Sequence, residues 1–192
     1  MFKKKVLVIV AHPDDETIWI GGLLLKNKTK WKTTIISLCR GNDEDRAPKF
    51  KRVCKLLNAK DYMFNIEDDK LKPINLREII SKVKSITKKK KYDYIFTHGE
   101  NGEYGHIRHI EVHKAVKKML SEKKLKCKKL YFFSYLRKGS SCNIDSSADI
   151  VINLKPPQFN MKQNLIHKVY GFDKKSFEVK SSKDKEALKC AA

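Results

Sequence analysis

The chain holds 192 residues, 41% of them hydrophobic, enough for one domain with a respectable core. Lys and Arg number 43 against 22 Asp and Glu, a net charge of +21, but only six of the basic residues are Arg; a lysine excess of this kind describes a solvated surface, able to attract anionic substrates or membrane surfaces, and argues against a specific nucleic-acid site. Five scattered cysteines without a CxxC pair exclude a disulfide framework, and no stretch approaches the roughly 20 apolar residues of a membrane span.

The elements alternate along the chain. Lys5–Val10 is an apolar run of the kind found in a buried parallel strand, and a helix follows from about Glu16 to Lys28. The charge-then-apolar order of Met1–Val10 resembles a secretory leader, but the run is too short and meets His-Pro-Asp-Asp-Glu without a cleavage site, so a cytoplasmic protein is expected. Thr33–Leu38 is a second strand, Arg46–Asn58 a helix with Phe50, Val53, Cys54 and Leu57 on one face, and Tyr62–Ile66 a short strand. Leu76–Lys88 carries a helical stripe opened by Pro73 and Asn75, and ends in the charge run Lys88–Lys91. Tyr92–Thr97 (strand), Ile110–Ser121 (helix), Lys129–Tyr135 (strand), Asp149–Leu154 (last strand) and Phe159–Val169 (last helix) complete the pattern. Alternating β and α units predict an α/β fold, a Rossmann-like three-layer α/β/α arrangement with a mostly parallel sheet. No GxGxxG follows the first strand, so no dinucleotide is expected. The domain is expected to span 1–172, with 173–192 a polar, Lys-rich, loosely held tail.

Two clusters carry chemistry. Ala11-His12-Pro13-Asp14-Asp15-Glu16 packs one imidazole and three carboxylates into the turn after the first strand, where open α/β sheets bind ligands. Such groups are costly beside a core unless they bind something, and this mixture suits a divalent metal. Capping of the following helix by Asp15 or Glu16 is the plainer role and is compatible with it. The second cluster, His98-Gly-Glu-Asn-Gly-Glu-Tyr-Gly-His106-Ile-Arg-His109, follows the strand Tyr92–Thr97 and is continued by His113. His106 and His109 share a face on a helical first turn, and four of the six histidines fall within this stretch. His98 ends a strand near the site. Cys39 is a small core filler; His113 is an ordinary helix-face residue, and His167 stands alone in the last expected helix.

The pair of motifs, Ala-His-Pro-Asp-Asp-Glu and Gly-Glu-Tyr-Gly-His-x-x-His about ninety residues later, resembles the PIG-L/LmbE-like family of zinc-dependent de-N-acetylases, over roughly residues 4–170. The resemblance implies that His12, Asp15 and His109 bind one zinc ion, Fe2+ being the rival metal. It implies Asp14 as general base, His106 as the group that stabilises or protonates the tetrahedral intermediate, and Tyr104 as its further partner. Arg40, Asn42, Arg46 and Asp68 are implied contacts of an N-acetylated amino sugar or its conjugate; His98, which ends a strand facing the pocket, is placed beside them as a substrate contact. The lysine excess favours an anionic conjugate, and a thiol conjugate of a glucosaminyl compound is the nearest rival. Adjacent Asp14 and Asp15 point different ways, so one can face a metal while the other faces water. Two imidazoles and a carboxylate leave the fourth position of a catalytic zinc open. Departures from the family pattern are Lys49 behind Pro48, where a Glu is usual, and Ile-Arg between the histidines in place of Pro-Asp, which removes an acidic partner.

Overall fold

The computed structural model describes residues 2–88 and 90–191; Lys89 of the expected charge run lies outside the described residues. Five strands, β1 (Lys4–Val10), β2 (Trp31–Cys39), β3 (Ala59–Ile66), β4 (Lys91–Thr97) and β5 (Lys126–Phe133), pair in parallel. The sheet is completed by β8 (Ile150–Asn153) and β9 (Lys185–Cys190) in the order β3-β2-β1-β4-β5-β9-β8, with β9 antiparallel to both neighbours. A separate hairpin joins β6 (Tyr135–Lys138) to β7 (Ser141–Ile144).

Strand β1 shows why both faces are covered. Val6, Val8 and Val10 pack with α1 (Asp15–Asn27), α2 (Arg46–Leu56) and the segment at Leu165 and Ile166. Leu7 and Ile9 point the other way, toward α3 (Leu76–Thr87) and α5 (Ile107–Ser121). An apolar residue at every position is what a strand between two helical layers requires. The α/β/α arrangement with a mostly parallel sheet is therefore the observed one. No described helix is long and apolar enough to cross a membrane.

Three boundaries differ from expectation. α5 begins at Ile107 because His106 caps it, its Nδ1 accepting the Arg108 N–H at 3.3 Å. The strand expected over Lys129–Tyr135 ends at Phe133, and the chain turns into the β6–β7 hairpin. The last long helix is α6 (Pro156–Asn164) followed by a π turn (Leu165–Val169).

The expected tail is a larger correction. Within it, residues 173–191 include α7 (Phe177–Ser181) and β9, and β9 lies inside the sheet between β5 and β8. Its polar composition hides a structural charge. Glu186 is fully buried, paired with fully buried Lys162 of α6 at 2.8 Å. The same carboxylate accepts the N–H groups of Gly22 (2.7 Å) and Leu23 (2.8 Å). Those donors are free because α1 breaks at Ile20 (φ −139, ψ 20), and the Trp19 carbonyl accepts the Tyr135 hydroxyl at 2.6 Å. A buried kink needs every loosened backbone group repaired, and Glu186 and Tyr135 repair this one.

Strands run outward from β1 to β3 on one side and from β4 to β5 on the other, so the order reverses between β1 and β4. Ligands bind in the crevice beyond such a reversal. Both sequence clusters emerge there.

Candidate active site

His12 leaves the end of β1, and His109 sits in the first turn of α5. Their inward atoms converge with Asp15 of α1: His12 Nδ1 to His109 Nε2 is 3.2 Å, His12 Nδ1 to Asp15 Oδ2 is 3.3 Å, and His109 Nε2 to Asp15 Oδ2 is 3.4 Å. Three ligands of a tetrahedral ion bound at about 2.0–2.1 Å would be separated by about 3.3 Å.

The outward nitrogens fix what these atoms are. His12 Nε2 lies 2.9 Å from Asp68 Oδ1, and His109 Nδ1 lies 2.6 Å from Glu103 Oε2. Each carboxylate takes the imidazole proton on the far side and leaves a lone pair facing Asp15. Three acceptors then meet: Asp15 Oδ2 takes the His12 backbone N–H at 2.8 Å, but the two facing imidazole nitrogens have no donor between them, an arrangement that needs a positive charge. In the protein alone a proton supplies it: burial opposes a charge on His12, but the Asp15 and Asp68 carboxylates outweigh burial and raise its pKa to about 10. A divalent cation would replace that proton. The donor set fits a metal of the zinc or iron type.

Glu103, which the sequence does not itself mark as a site residue, is a central support. It is buried, and its φ of 60 follows Gly102 at 61, a pair of left-handed residues in the short turn α4 (Gly102–Gly105). Oε2 accepts from His98 Nδ1 (2.8 Å) as well as His109, and Oε1 accepts the Gly99 N–H at 2.7 Å. Against the resistance of burial, the two imidazoles hold its pKa down at about 2. Three strong hydrogen bonds offset the backbone strain. The signal in the sequence was the Gly-Glu-Tyr-Gly turn before the histidine pair, but sequence does not reveal which way that carboxylate points.

His98 differs from its expected role. It is fully buried, its Nε2 accepts the Ala11 N–H at 3.0 Å, and its Nδ1 is on Glu103, so it ties β1 to β4 and reaches no substrate. Its Nε2 also lies 3.5 Å from Asp15, but that lone pair is already engaged. Asp68 likewise has both oxygens committed, one to His12 and one to Arg40 Nε at 3.3 Å, and acts as a support of His12. Asn42 is exposed in the β2–α2 loop and does not line the cavity. His113 gives its Nδ1 to the His98 carbonyl (2.9 Å), and His167 bonds the Phe172 carbonyl (2.7 Å); neither lines the cavity. Cys39 is buried, its thiol pKa raised by burial.

Around the three acceptors lies a cavity of about 190 Å3, lined by Asp14, Arg46, Arg40, His106 and Tyr104 among others. Asp14 occupies a left-handed backbone position, φ 127. Its N–H donates to Glu16 Oε2 (3.1 Å), and its carbonyl accepts the first helical N–H groups from Thr17 and Ile18. Glu16 is itself buried beneath, accepting from Thr17 Oγ1 (2.6 Å) and Tyr170 OH (2.8 Å), and burial raises its pKa to about 7. The twist sends the Asp14 carboxylate away from Asp15, toward Arg46 Nη1 at 3.0 Å, whose guanidinium lies 4.1 Å over the Phe172 ring. Burial and the Asp15 charge hold Asp14 well above the usual carboxylate range, with His12 and Arg46 pulling the other way. His106 stands edge-on to His12, ring centres 4.7 Å apart; burial and the His109 and His12 rings lower its pKa to about 4. Tyr104 is 5.2 Å from His109, and burial and the neighbouring aspartates keep its hydroxyl protonated. Trp19 Nε1 donates to Asp15 Oδ1 at 3.0 Å and fixes that carboxylate from behind.

Arg108, in place of the family's acidic residue, takes up a different task. Fully buried, it bonds Glu67 and Glu111 at 2.6 Å each and the carbonyls of Glu67 (2.5 Å) and Lys72 (2.8 Å). It clamps the loop that carries Asp68, so the second histidine motif supports the first through this side chain.

The sequence model of the PIG-L family, GlcNAc-PI de-N-acetylase, matches residues 7–120. An uncharacterized protein, L374 of Acanthamoeba polyphaga mimivirus, is 28% identical over 148 residues, covering 70% of this chain; the chain spans 63% of that protein's length. The N,N'-diacetylchitobiose deacetylase of Pyrococcus horikoshii is similar in structure, with a TM-score of 0.69 at 17% identity, over 98% of this chain and 84% of that one. So is GalB, the 4-carboxy-2-hydroxymuconate hydratase of Pseudomonas putida KT2440, with a TM-score of 0.69 at 12% identity, over 98% and 96%. At these identities the likeness is one of fold.

Proposed function

From the premise that this chain belongs to the PIG-L family of GlcNAc-PI de-N-acetylases, we propose that it is a zinc-dependent hydrolase that removes acetyl from an N-acetylated amino sugar or its conjugate. The observation that carries the reading is the convergence of three lone pairs from His12, Asp15 and His109, at 3.2–3.4 Å, with no donor between the two imidazoles. These three residues would hold the ion. Zinc, when bound, is a Lewis acid that polarises an amide carbonyl and acidifies water.

The chain's own groups divide the remaining work. Asp14, turned from Asp15 and steadied by Arg46, takes the proton of the water that attacks the acetyl carbon. The Tyr104 hydroxyl donates to the oxygen on which negative charge develops. His106 faces the same cavity and, neutral with its Nδ1 accepting the Arg108 N–H, offers its Nε2–H to that charge; the proton taken by Asp14 passes to the departing amine, so the C–N bond breaks to acetate and a free amino sugar.

The test is metal analysis beside acetate release from N-acetylglucosamine, diacetylchitobiose, N-acetylglucosaminyl-phosphatidylinositol and a glucosaminyl thiol conjugate. Activity that disappears on chelation and returns with zinc supports the reading. No acetate from any of them, with hydration of an unsaturated dicarboxylate instead, would place the chain with the hydratase that shares its fold.

A further inference from the structure

Counted by its carboxylates and arginines alone, the cavity has the opposite charge balance to the chain. Asp14, Asp15, Asp68 and Glu178 line it against Arg40 and Arg46, and none of the lining residues is a lysine, although the chain carries +21. Both cations are committed. Arg46 lies on Asp14 at 3.0 Å, and Arg40 on Asp68 and Asp43 at 3.3 Å each.

Glu178 stands apart from the other acids. Half-buried in α7, it makes no ion pair and no side-chain hydrogen bond among the described residues. Its neighbour Phe177 packs edge-on against Tyr104, centroids 4.9 Å apart at 65°, and Tyr104 in turn lies 6.5 Å from Trp19. α7 is anchored where Ser176 Oγ accepts the Val179 N–H at 3.3 Å. One short turn therefore sets an aromatic ring and an unneutralised carboxylate side by side on the cavity wall. Carbohydrates present the matching pair of features, a C–H face and a fringe of hydroxyl donors.

We propose that Phe177 and Glu178 form the subsite that sets the substrate class: the sugar ring packs on Phe177 and donates hydroxyl or amino hydrogens to Glu178, which admits neutral or amino-bearing acetamido sugars and rejects those with a phosphate on the ring. The proposal rests on the deacetylase reading and narrows it. The lysine coat, absent from the cavity, does not select an anionic sugar. A phosphate beside Glu178 would meet a like charge, and Arg40 and Arg46 are already paired with carboxylates.

Titration calorimetry of the zinc-loaded full-length protein with glucosamine, N-acetylglucosamine and its 1- and 6-phosphates tests this, with acetate release followed in parallel. The two neutral or amino sugars should bind at least about tenfold more tightly than the phosphates, the size of a unit-charge repulsion across several ångströms near a protein surface. Glu178→Gln should bring the four within about threefold of one another by removing that repulsion; Glu178→Ser serves should the first variant fail to fold. Phosphates bound as well as or better than the parent sugar, or a preference untouched by either variant, would overturn the subsite. Discrimination in binding without acetate from any sugar would sink the deacetylase reading and leave the subsite standing, and no sugar binding at all would sink both.

Discussion

Replacing Glu103 by Gln keeps the volume of the side chain and removes one acceptor from a place that needs two. Oε2 receives N–H donors from His98 and His109, and Oε1 receives one from Gly99. Whichever way the new amide is turned, its NH2 faces a donor. His98 cannot yield by changing tautomer, because its Nε2 already accepts from Ala11. His109 can, but only by carrying its proton on Nε2, the atom 3.4 Å from Asp15. The variant therefore leaves one or two buried donors unsatisfied, at about 1–3 kcal/mol each. It also biases His109 against metal, which for lost supports of this kind weakens affinity roughly 10–100-fold. Competition with a chromophoric chelator measures the affinity, and melting with and without zinc measures the stability. Zinc bound as tightly by Glu103→Gln as by the parent would refute the tautomer reasoning, whatever the melting temperature does.

The same carboxylate predicts an acid limit. Its pKa is about 2 in the folded protein against 4.5 for the model group, so it contributes about 3 kcal/mol above pH 4.5 that drains away between pH 4.5 and 2. Urea unfolding across that window should show the parent losing stability relative to Glu103→Gln. Lys162→Met leaves Glu186 buried without its cation and should cost about 3–5 kcal/mol, read from the same unfolding experiment, whereas adding Glu186→Gln should recover part of it. Asp14→Asn should keep its zinc by metal analysis and lose acetate release by about 10²–10⁴-fold; a variant as active as the parent removes Asp14 from the role of base.

Periodicity was enough for the α/β/α layers, because a strand apolar at every position and a helix apolar along one stripe bury themselves in only a few ways. The crevice was legible for the same reason: His12 and His109 follow strands that the alternation places side by side. What sequence withholds is direction. His98 ends a strand near the site but turns into the interior, and Asp68 looks like a sugar ligand until both of its oxygens are found occupied. β9 was missed because Lys-Glu-Ala-Leu-Lys-Cys has little strand signal of its own, and its place depends on partners far away in the chain. Arg108 reads as a lost acidic residue; only the fold shows the loop it clamps.

The pairing of Glu186 with the middle of α1 spans 164 residues of sequence. Synthesis must therefore reach Glu186 before the helix that carries Asp15 and Trp19 can settle into its bent form. Chains that stop short of β9 should be incompetent for metal capture.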